Sequence, residues 1–279
     1  MIVAIVGIGL IGGSLAIALK EKGIATKLIG VDANPDHAEK ALKLGLVDEV
    51  AALDDAIPRA QLIILATPVN SLLKLATAIL DKVTNQVVMD VGSTKTGVLE
   101  SIRNHPRRGC FMATHPMWGT EYSGPEAAVK GAFVGKAVVV CNKEESNEEA
   151  IEVVETIYKS LGMHLVYMDA QDHDVHVAYV SHISHIKSFA LANTVLEKER
   201  EEEAIFELAS GGFESTVRLA KSNPAMWVPI FKENRENVLD VLNEHISQLR
   251  KFKACLEKEN YAYLQELIED ANKIKRIIK

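Results

Sequence analysis

Residues 1–14, Met-Ile-Val-Ala-Ile-Val-Gly-Ile-Gly-Leu-Ile-Gly-Gly-Ser, decide the fold. The six apolar residues before Gly7 read as a buried strand that starts the fold at residue 1, and Leu15 to Lys22, closed by Gly23, reads as the helix that follows. Gly7, Gly9 and Gly12 then form GxGxxG in the context the motif needs, after a strand and opening a helix. There the backbone can approach a pyrophosphate and present to it the helix N-terminal amides around Leu10 and Ile11. A second strand, 27–31, ends at Asp32, which lies 20 residues beyond Gly12. At that interval a carboxylate meets the ribose 2′-hydroxyl of NAD and repels the extra phosphate of NADP. A lone glycine turn would need neither the flanking strands nor the acid.

Downstream, a helix over 35–44 leads to a short segment at 47–50, and the apolar run 61–66 reads as another buried strand. It stops at Thr67 and Pro68, small and rigid residues that would border a bound cofactor. A helix over 71–80, a strand over 87–91 and the turn Gly92-Ser93-Thr94-Lys95-Thr96-Gly97 come next. The hydroxyls and the lysine of that turn sit where a nicotinamide and a substrate could both be reached, or else cap the following helix. A run over 109–114 delivers His115 at the head of Ala113-Thr-His-Pro-Met-Trp-Gly-Thr-Glu-Tyr-Ser-Gly124, which gathers an imidazole, the Glu121 carboxylate, three hydroxyls and an indole. If the sheet is parallel, the loops after residues 6, 91 and 114 converge on one crevice. A strand over 137–141, an amphipathic helix over 148–161 and a strand over 164–168 close an α/β domain expected at 1–169.

After Asp169 apolar residues recur at spacings of three and four, as in Ile183, Ile186 and Phe189, or Val238, Val241, Leu242, His245 and Ile246. That pattern makes 170–279 an all-α domain whose apolar stripes fit a homodimer. The charged stretch 197–203 reads as a solvated helix face. His173, His182 and His185 lie along one helical run that offers no carboxylate at the spacing a zinc site wants, so no metal is expected. Asp169 or Asp172 fits a helix cap. Arg218, placed on the first turns of a helix opened by Gly211 and Gly212, is the residue type that grips a carboxylate in bidentate fashion, although an exposed arginine is as common.

The bulk numbers exclude several classes. With 31 basic and 38 acidic residues the net charge is −7, and no Lys/Arg-dense block could neutralise a run of phosphates, which argues against nucleic acid. The first apolar run is too short for a membrane span or a signal peptide. Cys110, Cys141 and Cys255 show no pairing pattern, and read as reduced thiols of a cytoplasmic protein.

Taken together, GIGLIGGS at 7–14, DVGSTK at 90–95, THPMWGTEYSG at 114–124, HDVHVAYVSHISH at 173–185 and GGFESTVRLAKSNPAMW at 211–227 resemble the prephenate dehydrogenase family, over essentially the whole chain. The family includes arogenate and cyclohexadienyl dehydrogenases of tyrosine biosynthesis. The resemblance implies NAD-dependent oxidative decarboxylation of prephenate to 4-hydroxyphenylpyruvate, with arogenate as the alternative substrate. It implies His115 as the base that takes the ring hydroxyl's proton and Ser93 as the serine that orients that hydroxyl and the nicotinamide. His185 would lie near the substrate side chain, Arg218 would bind a substrate carboxylate, and Glu121 would join a gating ion network with that arginine. One departure is that the family often has Asp three residues before the arginine, where this chain has Ser215 beside Glu214. A 3-hydroxyacid or imine-reducing enzyme of the same layout would carry a lysine motif on the first long helix of the second half, where only Lys187 stands.

Overall fold

The computed structural model describes residues 1–199 and 205–277, so part of the charged stretch 197–203 lies outside the described residues. In chain order the elements are β1 (Ile2–Val6), α1 (Leu10–Glu21), β2 (Lys27–Val31), α2 (Pro35–Lys43), β3 (Glu49–Val50), α3 (Leu53–Ala56), β4 (Leu62–Leu65), α4 (Val69–Leu80), β5 (Val87–Asp90) and α5 (Thr96–Ile102). Then come β6 (Phe111–Pro116), β7 (Ala137–Cys141), α6 (Glu148–Ser160), β8 (His164–Met168), α7 (Ala170–Val177), a π-turn (Ala178–His182), α8 (Ile183–Glu199), α9 (Gly211–Val217), α10 (Pro224–Glu233), α11 (Arg235–Glu257) and α12 (Tyr261–Asn272).

The eight strands form one sheet in the order β3-β2-β1-β4-β5-β6-β7-β8. Every neighbouring pair is parallel except β6 and β7. Strands buried on both faces explain why β1, β4 and β5 read as unbroken apolar runs rather than alternating ones. Two apolar clusters result, one on each side of the sheet, with Leu15, Phe133 and Tyr158 in the first and Leu72, Ile79 and Phe111 in the second. Since β1, β4, β5 and β6 run in parallel, their carboxyl ends share one edge, as expected from sequence. His115 differs slightly from expectation. It stands within β6, opposite Val139 of β7, because that returning strand extends the pairing past Thr114.

Close packing groups Met1–Asn234 into one unit and Arg235–Lys279 into a second. The second is the helical hairpin α11/α12, which buries Val238, Val241 and Cys255 and leaves Leu249, Leu256, Tyr261 and Ile268 exposed. No helix among the described residues is long and apolar enough to cross a membrane.

Candidate active site

At the sheet's carboxyl edge, Gly7 adopts φ +93°, and a Cβ there would lie 2.6 Å from the Ala66 carbonyl oxygen; one at Gly12 would lie 2.0 Å from the Gly7 oxygen. Glycine is required at both positions by backbone conformation and close approach. Gly9 is different, because a Cβ there would meet nothing within 4 Å. It borders open space at the N-terminus of α1, which no side chain caps. The Asp32 carboxylate accepts the Ile8 amide at 2.8 Å and the Asn34 amide at 2.9 Å, which fixes it beside the glycine loop with lone pairs to spare. Thr67 follows β4, and its Oγ1 is buried without a protein hydrogen-bond partner; Pro68 beside it is exposed and precedes α4. An open glycine cradle, an uncapped helix start, a fixed acid and an orphaned hydroxyl fit a dinucleotide.

Beyond this cradle, β5, β6 and α7 build a buried polar centre. Lys95 is fully buried, makes an ion pair with the buried Asp90, and donates to the Thr114 carbonyl at 2.7 Å. The lysine of the β5–α5 turn is therefore a brace between two strands, not the crevice-facing group expected from sequence. An uncompensated buried ammonium would be costly, and the Asp90 carboxylate supplies its partner. Thr114 is held as well, its hydroxyl sitting 2.5 Å from the Asp90 carbonyl and 2.6 Å from the Tyr158 hydroxyl. Ser93 lies half-buried on the turn after β5.

The centre's main feature is a chain of three side chains. Asp174 Oδ1 lies 2.8 Å from His173 Nδ1, and His173 Nε2 lies 2.9 Å from His115 Nδ1. A carboxylate can only accept, so His173 carries its proton on Nδ1 and accepts at Nε2. His115 must then donate from Nδ1, which leaves its Nε2 as a bare lone pair. Asp174 also accepts the amides of Lys95 and Thr96 at 2.8 and 2.9 Å, capping α5 from across the chain. Burial opposes the charge of Asp174, but His173 and Thr96 outweigh it and hold its carboxyl below the usual range. Burial, with help from His173, Lys95 and His182, pushes His115 well below the ordinary histidine value, so the ring is neutral at neutral pH. Burial also lowers His173, against the pull of Asp174, and lowers His182 to about 4.

Sequence reasoning noted His173 on the helical run and Asp174 only within the 173–185 motif, and assigned neither a place in the site. Their only local signal is adjacency, and they meet His115 across 58 residues of chain. Asp169, by contrast, caps α7 through the Asp172 amide at 2.8 Å, as anticipated.

On the rim, Arg218 donates to Glu121 at 2.6 Å, which joins the loop after β6 to the turn after α9. Arg218 stands at the end of α9 rather than on its first turns, because that helix is only seven residues long. Glu121 is held below the usual carboxylate range by its own backbone amide and by Arg218, against the effect of burial. Ser188 fixes the end of α9 to α8 by donating to the Thr216 carbonyl at 2.5 Å. His185, half-buried on α8, stacks on Trp227 with ring centroids 3.5 Å apart. Trp118 packs edge-on against Phe133 at 5.6 Å, so it anchors its loop to the core. Lys187 is exposed, and it is not the one lysine of its helix as expected from sequence, because α8 runs on to Glu199 and includes Lys198. Among the described residues no group of His, Cys, Asp and Glu could hold a metal ion.

Fold and site together define a dehydrogenase with a nucleotide-binding α/β domain. The chain belongs to the prephenate dehydrogenase family. Its residues 15–167 match the model of the prephenate dehydrogenase nucleotide-binding domain, and residues 169–270 match that of the prephenate dehydrogenase dimerization domain. A prephenate dehydrogenase of Bacillus subtilis is 31% identical over 262 residues, covering 92% of this chain and 71% of the relative. The crystal structure of prephenate dehydrogenase from Aquifex aeolicus, in complex with hydroxyphenyl propionate and NAD+, superposes with a TM-score of 0.89 at 31% identity, covering 99% of this chain and 97% of that one. Synechocystis arogenate dehydrogenase superposes with a TM-score of 0.78 at 27% identity over the full length of both chains. Similar proteins thus include enzymes named for each of the two substrates.

Proposed function

We propose that this chain is an NAD-dependent oxidative decarboxylase that converts prephenate to 4-hydroxyphenylpyruvate in tyrosine biosynthesis. The observation that carries this reading is the Asp174–His173–His115 chain, which leaves a bare His115 Nε2 at the end of β6. Oxidising a ring carbinol needs a proton acceptor at that place, and a neutral imidazole serves without further tuning. When Nε2 takes the hydroxyl proton, the imidazolium's Nδ1–H is already directed at His173, and the ionised Asp174 stabilises the positive charge through that ring. Ser93 is assigned to orient the hydroxyl.

Arg218 is assigned to a substrate carboxylate, which displaces Glu121 from the guanidinium. Bound NAD+ supplies the hydride acceptor. Gly7, Gly9, Leu10, Ile11 and Gly12 would hold its pyrophosphate, Asp32 its ribose, and Thr67 and Pro68 would border it. Aromatisation of the ring makes loss of carbon dioxide favourable, so the protein need supply no electron sink. The division of labour falls at 169/170, between nucleotide binding and substrate binding. The apolar residues exposed on α11 and α12 support a homodimer. The free cysteines fit a reducing cytoplasm.

The test is a spectrophotometric assay of NADH formation from prephenate and NAD+, on a sample whose mass is read by light scattering. Absence of NADH removes the prephenate reading and leaves arogenate as the substrate to assay, and the mass of a single chain removes the dimer.

A further inference from the structure

The His185 ring is fixed on two sides. Trp227 of α10 lies against its face at an interplanar angle of 28°, and its Nδ1 sits 3.1 Å from the Ser181 carbonyl in the π-turn. A carbonyl has no proton to give, so Nδ1 carries the hydrogen, and in the neutral ring Nε2 is an acceptor only. Turning the ring over would break both the hydrogen bond and the nitrogen's alignment, so this tautomer is built in. The charged or titratable groups around it are His182 of the π-turn and Arg218 after α9, with Glu121 paired behind Arg218. α10 presents the indole of Trp227.

The next step rests on the dehydrogenase reading above. If Arg218 takes the carboxylate at the end of the substrate side chain, the substituent on the adjoining carbon comes toward His185, the imidazole on which the Arg218 charge acts. In prephenate that substituent is a keto oxygen, which only accepts; in arogenate it is an ammonium group, which only donates. We propose that His185 selects between keto and amino side chains by its protonation state, accepting from the ammonium group when neutral and donating to the keto oxygen when it is an imidazolium. Burial, aided by the Arg218 charge and opposed by the Ser181 carbonyl, lowers the histidine's pKa. The neutral, amino-accepting form therefore gains ground as the solution passes from mildly acidic to neutral.

The test measures kcat/KM for prephenate and for arogenate between about pH 5.5 and 8.5, in the parent and in His185→Gln, whose amide donates and accepts at every pH. The arogenate-to-prephenate ratio should rise about tenfold across the titration in the parent and change less than about twofold in the variant. A flat ratio in the parent, or an equal rise in the variant, overturns the proposal. Imidazole 15N shifts of the ligand-free enzyme give a second reading: an unprotonated Nε2 supports the proposal, and an Nε2–H tautomer overturns it. If neither compound yields NADH, the dehydrogenase reading fails, and the same ratio taken from calorimetric dissociation constants decides the selectivity.

Discussion

Lys95, Thr114 and Asp174 at the floor of the crevice are buried and held by at least two partners each, whereas Arg218 at its rim is half exposed and bonded to Glu121 by one short contact. The floor holds the His115 imidazole, whose tautomer is set by the His173–Asp174 pair behind it. The rim holds a cation whose ion pair is open to solvent on the Arg218 side and is worth about 1 kcal/mol, so on the proposed function one carboxylate could replace another there at little cost. On the proposed function, the chemistry would sit in the rigid part and substrate exchange in the loose part.

That contrast can be broken most directly at His115. His115→Asn should lower kcat by about 10²–10⁴-fold with the dissociation constant for NAD+ nearly unchanged. Near-normal turnover would mean that the floor is scaffold only. A second test uses acid. His115, His173 and His182 have folded-state pKa values below their unfolded value of 6.5, so the unfolded chain binds more protons. Stability is therefore full above about pH 6.5 and is lost as pH falls from there. His182 alone, at about 4, corresponds to a loss of about 3 kcal/mol once pH is below that value, an order-of-magnitude figure. Calorimetric melting at pH 7.5, 6 and 5 should show a falling Tm; an unchanged midpoint would mean that the buried rings are hydrated. The smallest effect belongs to the rim. Arg218→Ala should raise the KM of the substrate about tenfold with little change in kcat, the signature of lost uniform binding. A collapse of kcat instead would make the rim part of the chemistry.

What could be read from sequence follows from where the constraint lies. Gly7 and Gly12 were legible because their requirement is local: one needs a positive φ beside Ala66 and the other must approach the Gly7 carbonyl. The strands were legible because burial on both faces writes itself as unbroken apolar runs. His115 stood out by its place at the end of the strand that became β6 and by the residues around it. Its hydrogen-bond partners did not, since His173 and Asp174 are brought to it by the register of β6, β7 and β8 and by α7 docking on α5, none of which has a periodicity. Lys95 was misjudged for the same reason, as nothing local tells a lysine at a strand end that an aspartate five residues earlier will bury it. The roles of Glu121 and Arg218 came from family resemblance, not from spacing. Their observed hydrogen bond spans 97 residues.

Asp174 does two things at once: it orients His173, and it closes the open amides at the start of α5. In evolutionary terms this removes modularity. The boundary between 167 and 169, where one family model stops and the next begins, is a seam in sequence that the His173–His115 and Asp174–Lys95 hydrogen bonds cross. A nucleotide-binding half recombined with a foreign helical half would keep its cradle yet lose both its relay and the cap of one of its own helices. On the proposed function, a productive chimera would have to bring its own adjacent His-Asp pair near the start of the incoming helix, where α7 carries His173 and Asp174.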